Sequence, residues 1–300
     1  MREWAVKIRK WLELQFLIWF ARLIKICTVV TPYRLGVWVG GVIGVFAYVL
    51  ISQERKRAIY HLKEVFTDKD ERWIRRTALQ NFVHLGKSVF EFALITPNRL
   101  AKIFHIQGME AVHAALKQGK GIIYVTGHLG NWELMADAGV AHGVPLSVIA
   151  APIRPVQVND MVVGLRDRMG VKTIVRSKPG AAKELIRVFK ENRALAILID
   201  QDTDVEGAFV DFFGKPAWTP TAAAAMAIKF GAPIIFGYAH RDAQNRHIGI
   251  IEGPLYVERT GNDEKDIIAN TAMLSKKIET CIYKNPEQWV WMHRRWRRQP

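Results

Sequence analysis

The sequence predicts an α/β domain with a mostly parallel sheet flanked by helices, joined to an N-terminal membrane-associated helical segment. Three features predict it. From residue 122 onward, short β-branched runs alternate with helical patterns, as in folds built of strand–helix–strand units. The chain has 300 residues, half of them apolar and a tenth aromatic, enough to bury one large core and too apolar for disorder. Ahead of that region, residues 35–51 form an apolar run without a charge.

That run sits near the lower length limit of a membrane span, because a hydrocarbon core of about 30 Å asks for about 20 apolar residues. Residues 14–26 are also apolar but carry Arg22 and Lys25 and follow Arg2, Lys7, Arg9 and Lys10, so they read as an in-plane amphipathic helix. Trp4, Trp11, Trp19 and Trp38 fit an interfacial belt, and Arg55, Lys56 and Arg57 close the run with positive charge, which suggests a dip from the cytosolic side. A buried hydrophobic helix leaves the same trace; a cleaved signal peptide fits less well, since no A-x-A-like site follows. The expected organisation is a membrane-associated helical anchor, 1–58, and an α/β domain, 59–300.

Ile74, Ala78, Phe82, Gly86, Val89 or Phe90, and Ala93 recur at three- and four-residue steps, which predicts a packing helix ended by Pro97. Strands are expected at 122–126, 146–150, 171–175, 195–199, 234–239 and 247–252, with helices at 131–139, 156–168, 180–191 and 219–230. Residues 263–284 read as a closing helix before Pro286. Lys and Arg number 43 against 28 Asp and Glu, a formal net charge of +15, which favours anionic partners. The two cysteines, Cys27 and Cys281, are too few for a disulfide scaffold, and neither is placed as a nucleophile.

The chemistry concentrates in 127–133, GHLGNWE. His128 is expected where a strand ends and a helix opens, which is where α/β sheets bind ligands. Glu133 lies five residues on, about 140° away on a continuous helix, so the turn must bring the two together. If it does, Glu133 holds one imidazole N–H and leaves the other nitrogen as a base. The alternative is a helix-capping histidine with a solvated first-turn acid. Metal ligation is not expected, because H-x-x-x-x-E is neither H-E-x-x-H nor accompanied by a cysteine pair. Asp200, after the apolar strand 195–199, is expected to orient an arginine or a substrate hydroxyl, or else only to cap a turn.

GHLGNWE resembles the H-x-x-x-x-D/E block of the lipid A biosynthesis acyltransferases, a bacterial group that includes related glycolipid acyltransferases. Further matches follow in order at 153–155 (IRP), 166–170 (RDRMG), 200–202 (DQD), 212–219 (FFGKPAWT) and 286–296 (PEQWVWMHRRW), so the resemblance covers nearly the whole chain. It implies direct acyl transfer, without cofactor or covalent intermediate, from a thioester, commonly of acyl carrier protein, to a hydroxyl of a phosphorylated lipid acceptor. His128 would be the general base and Glu133 its orienting acid. Arg154 and Arg166 match family positions and would grip acceptor phosphates, with surface charge as the alternative. Gly130, Asn131 and Asp200 join them as candidate substrate-binding residues, and the helix N-terminus near Gly130, or an arginine, as oxyanion donor.

The basic, aromatic tail at 289–298 is expected to meet anionic lipid head groups or to be a solvated basic end. No nucleic-acid partner is expected, since no helix-turn-helix, finger or RNP pattern is present. The expected location is the cytoplasmic face of a bacterial inner membrane. Two rivals remain: an acyltransferase for another phospholipid or glycolipid, and a non-catalytic membrane-bound binder of anionic polymers.

Overall fold

A computed structural model describes residue 15 and residues 31–300. Apart from residue 15, the helix expected at 14–26 lies outside the described residues, as do Trp4, Trp11, Trp19 and Cys27. Among the described residues from 31 onward, four helices come first: α1 (Tyr33–Leu50), α2 (Ser52–Val65), α3 (Glu71–Leu94) and α4 (Pro97–Ile103). Then β1 (Phe104–Gln107), α5 (Met109–Leu116), β2 (Ile122–Thr126), α6 (Trp132–Ala141), β3 (Leu146–Ala150), α7 (Val156–Arg168), β4 (Lys172–Val175), α8 (Ala181–Lys190) and β5 (Ala194–Leu198) alternate. A hairpin of β6 (Gly207–Phe212) and β7 (Lys215–Pro220) precedes α9 (Ala222–Phe230), β8 (Ile234–Arg241), β9 (His247–Leu255) and α10 (Asp263–Lys284).

The main sheet has seven strands in the order β1-β9-β8-β2-β5-β3-β4. Every neighbouring pair is parallel except β8 with β9. The fold is therefore the mixed α/β, mostly parallel architecture that the alternating pattern predicts. The pleat sends successive side chains to opposite faces. Ile123, Val125, Leu195 and Ile197 join one buried cluster, with α2, α3 and α10, while Ile122, Ala194 and Ala196 join another, with α5 and α6.

Asp70 caps α3, accepting a hydrogen bond from the Trp73 N–H at 2.7 Å, and the predicted stripe Ile74, Ala78, Phe82, Phe90 and Ala93 is buried. The helix expected from residue 219 begins at Ala222, because the preceding residues pair as the hairpin. The border expected at 58 falls inside α2, whose Ala58 and Leu62 are fully buried in the main core.

The apolar run forms α1, long and apolar enough to cross a membrane. One face packs on α3: a Cβ on Gly86 would stand 2.1 Å from the Gly40 carbonyl oxygen, so the helices touch backbone to backbone. The other face leaves Trp38, Phe46, Val49 and Leu50 between 57% and 75% exposed, an apolar surface of the kind that seeks a membrane or a partner.

Candidate active site

Strands β2 and β5 pair in parallel with Thr126 opposite Leu198. Two residues beyond each, at the carboxyl ends of the strands, stand His128 and Asp200. Asp200 Oδ1 lies 2.7 Å from His128 Nδ1, and Asp200 Oδ2 accepts the His128 backbone N–H at 2.6 Å and the Trp289 indole N–H at 2.7 Å. Burial raises the Asp200 pKa, but the neighbouring imidazole and these hydrogen bonds outweigh it and hold the carboxyl at about 2. An ionised carboxylate accepts only, so Nδ1 carries the proton and Nε2 is left with a lone pair. Nε2 has no partner among the described residues.

The acid that orients His128 is thus Asp200, and the expected role of Glu133 is corrected. Glu133 lies in the first turn of α6 and turns towards α7, where Arg166 grips it through Nε at 2.8 Å and Nη2 at 2.6 Å. The same fork corrects Arg166, which holds a protein carboxylate instead of standing open for a phosphate. Asp200, expected to meet an arginine or a substrate, meets the imidazole.

Gly130 and Asn131 are structural. Gly130 has φ of 63°, donates its N–H to the Gln288 carbonyl, and would drive a Cβ to 1.9 Å from the Ala239 carbonyl oxygen. Its N–H is therefore not free for an oxyanion. Asn131 is the N-cap of α6, accepting from the Leu134 N–H, and its amide nitrogen donates to the Ser88 carbonyl and to Glu91. Glu91 is almost wholly buried, yet hydrogen bonds with His247 and Arg241 and the charge of Arg241 keep its carboxyl below the usual range against desolvation. Nothing in the sequence spacing pointed to that network. Arg154 stays exposed in the loop before α7, with no side-chain bond among the described residues.

The tail is corrected too. Trp289, Trp291 and Arg295 are fully buried. Trp289 anchors Asp200, and Arg295 reaches the Thr219 hydroxyl at 2.5 Å. Arg297 and Arg298 pair with Asp202 and Asp204, so most of this cationic stretch is tied to the protein itself.

His128 opens onto an apolar cavity of about 420 Å³ that runs between α6 and the sheet, past Tyr124, Met135, Gly139 and Leu146. Cys281, the described cysteine, is elsewhere, and burial pushes its thiol up to about 12. No group of three or more His, Cys, Asp or Glu side chains placed to hold a metal occurs among the described residues.

Asp137, one turn beyond Glu133, is 1% exposed, and neither carboxyl oxygen has a partner. Burial and the charge of Glu133 push it up to about 8, against Arg168 and Arg166. The folded protein keeps this proton where the unfolded chain, with a pKa of about 4, has lost it. Stability is full below about pH 4 and falls by about 1.4 kcal/mol per pH unit until the folded-state value is reached. Asp137→Asn removes that slope. Thermal unfolding at pH 5 and pH 8 reads it: the variant's advantage is expected to widen at pH 8, and an equal difference at both pH values contradicts the assignment.

Residues 7–298 match the model for bacterial lipid A biosynthesis acyltransferases. The phosphatidylinositol mannoside acyltransferase of Mycobacterium tuberculosis is 24% identical over 225 residues, covering 73% of this chain and 69% of its own. The lipid A biosynthesis acyltransferase of Haemophilus influenzae is 24% identical over 92% of this chain and 86% of its own. The lipid A biosynthesis lauroyltransferase of Escherichia coli is 25% identical over 89% and 86%. With the match running almost end to end, the chain belongs to the bacterial lipid A biosynthesis acyltransferase family, whose members transfer acyl groups to lipid acceptors.

Proposed function

We propose that the protein moves a fatty acyl chain from an acyl carrier protein thioester to a hydroxyl of a lipid A precursor. The observation that carries this reading is the His128–Asp200 pair at the mouth of an apolar cavity. His128 Nε2 takes the hydroxyl proton as the oxygen attacks the thioester carbonyl. Asp200 keeps Nδ1 protonated and stabilises the imidazolium. The tetrahedral intermediate collapses, the C–S bond breaks, and the imidazolium returns its proton to the leaving thiolate, so no acyl-enzyme is required.

The N–H groups of Trp132 and Glu133, the first of α6, have no acceptor among the described residues, and both residues line the cavity. They are the donors offered to the oxyanion, each worth about 3 kcal/mol in comparable sites. Glu133 and Arg166 pin α6 to α7 and so fix that helix end. Arg154, exposed in the loop before α7, is one cation available to an acceptor phosphate. The outer face of α1 holds the enzyme at the membrane, on the cytoplasmic side, where acyl carrier protein brings the donor.

The donor chain occupies the cavity. A Cβ on Gly139 would meet only Leu146 Cδ2, at 4.0 Å, so a side chain there projects into open space. Gly139→Leu is expected to shorten the preferred acyl chain by two or more carbons, read by mass spectrometry of products from a mixed-thioester competition. An unchanged product profile places the chain elsewhere.

The mycobacterial relatives, named for phosphatidylinositol mannosides, favour a second acceptor class. The deciding experiment offers the purified protein acyl carrier protein thioesters with a lipid A precursor or a phosphatidylinositol mannoside. Acylation of the lipid A precursor is expected. Acylation of only the mannoside replaces the acceptor, and acylation of neither from any thioester defeats the reading.

A further inference from the structure

Strands β2, β5, β3 and β4 are neighbours in that order, and β4 is the last strand of the sheet. Thr126 lies opposite Leu198, Val148 opposite Ala196, and Ala150 opposite Val175, so the four strands end at about one level. His128 follows the first of these strands and Arg176 the last. Besides its branch between α6 and the sheet, the catalytic cavity reaches along these strand ends, past Gln201, Thr203, Ala150 and Ala151, to Arg176. Two arginines line it. Arg166 is held by Glu133, whereas Arg176 is half-buried and makes no side-chain bond among the described residues.

The length of that second branch matches a chemical group. Three strand spacings of about 4.8 Å separate the ends of β2 and β4 by about 14 Å. A carrier protein thioester hangs on a phosphopantetheine arm with roughly 13 bonds from sulfur to phosphorus, and an extended chain advances about 1.2 Å per bond, so the arm spans about 15 Å. With the thioester at His128 and the acyl chain under α6, an arm laid along the strand ends passes Gln201 and Thr203 and brings its phosphate to Arg176.

Beyond Arg176 the surface is cationic. Residues 172–191 hold six Lys and Arg against two Glu. Glu184 pairs with Lys172 and Glu191 with Arg187, so Lys178, Lys183 and Lys190 stand exposed without an acidic partner among the described residues. Lys183, Arg187 and Lys190 fall on one face of α8 at four- and three-residue steps, with Ile186 42% exposed beside them. A cationic helix face with one bare apolar side chain complements an acidic protein surface.

We infer that acyl carrier protein docks on the α8 edge of the sheet and passes its phosphopantetheine arm across the end of β4, with the phosphate held by Arg176. The inference rests on the acyl-transfer reading above and names how its donor is recognised. The guanidinium fork meets two phosphate oxygens at once, and the lysines of α8 face the acidic carrier.

The test uses the full chain in mixed micelles with a lipid A precursor and three donors of one acyl chain: the acyl carrier protein thioester, the acyl-phosphopantetheine thioester, and the acyl-pantetheine thioester, which lacks the phosphate. The wild type is expected to favour the phosphorylated small donor over the unphosphorylated one at least tenfold in kcat/KM. Arg176→Gln is expected to abolish that preference through the donor KM. Lys183→Glu combined with Lys190→Glu is expected to lower use of the carrier protein thioester at least tenfold relative to acyl-phosphopantetheine, an effect that fades with added salt. A wild type indifferent to the phosphate overturns the inference. So does a folded Arg176→Gln that keeps the wild-type ratio, or a charge reversal that leaves the carrier protein's ratio unchanged. A loss in Arg176→Gln that follows the acceptor's KM and disappears with a dephosphorylated acceptor also overturns it, since Arg176 then serves the acceptor phosphate. A wild type that transfers from none of the three donors defeats the acyl-transfer reading itself, and this inference with it.

Discussion

Asp200→Asn is expected to lower kcat by about 10³- to 10⁴-fold and to leave KM within a few fold, by comparison with other oriented histidine bases. The reason lies in three donors and two oxygens. Asp200 Oδ2 serves both the His128 backbone N–H and the Trp289 indole N–H. An asparagine keeps those two bonds only by placing its amide oxygen there, which turns its NH2 group towards His128 Nδ1. That group donates, so Nδ1 must accept, and the proton moves to Nε2, where the base is needed. The opposite rotamer preserves Nδ1 but leaves two buried N–H donors facing an amide donor, at a cost of about 1–3 kcal/mol for each unmet group. Single-turnover transfer from a radiolabelled thioester checks this, and a loss smaller than tenfold contradicts it.

His128→Ala removes the proposed base, and kcat is expected to fall by about 10⁴-fold, since general base action and its oriented geometry would disappear together. Donor binding persists, because the cavity is built largely from Tyr124, Met135, Leu146 and other residues that the substitution leaves alone. Asp200 stays buried without its imidazole, so thermal unfolding accompanies the assay to separate lost chemistry from lost structure. The Asp200 carboxyl, held at about 2, contributes stability above the unfolded-state value near 4 and loses it as pH falls through about 2. Any decline of transfer between pH 5 and pH 7 therefore does not belong to Asp200. Transfer by folded His128→Ala at the parent rate contradicts the assignment.

The α/β architecture was legible because its signals are local. The apolar strands alternate with helical periodicity, and Pro97 and Pro286 punctuate it, so α3, α7, α10 and the strands flanking the site appear within a few residues of their expected places. His128 at a strand end was equally readable, because GHLGNWE combines a β-branched run, a glycine turn and a helix start. What spacing did not supply was the partner of the imidazole. Glu133 is near in sequence, but the helix turns it to Arg166, while Asp200 is 72 residues away and comes alongside only because β2 and β5 are neighbours in register. The tail misled for a related reason. Tryptophans with arginines look interfacial in isolation, yet Trp289, Trp291 and Arg295 are buried in a carboxyl-terminal segment whose Gln288 and Trp289 pair with the loop that carries His128. Long-range pairing, not composition, decides both cases.

The account stands on His128 and Asp200 acting as one unit, and a double-substitution cycle on kcat measures that directly. His128→Ala, Asp200→Asn and their combination are compared in the same single-turnover assay, beside Glu133→Gln alone and combined with His128→Ala. The combination with Asp200→Asn is expected to be no slower than His128→Ala by more than a few fold, because an orienting acid has nothing left to orient. Losses that multiply for His128 with Asp200, while those for His128 with Glu133 merge, would return the orienting role to Glu133 and contradict the site described.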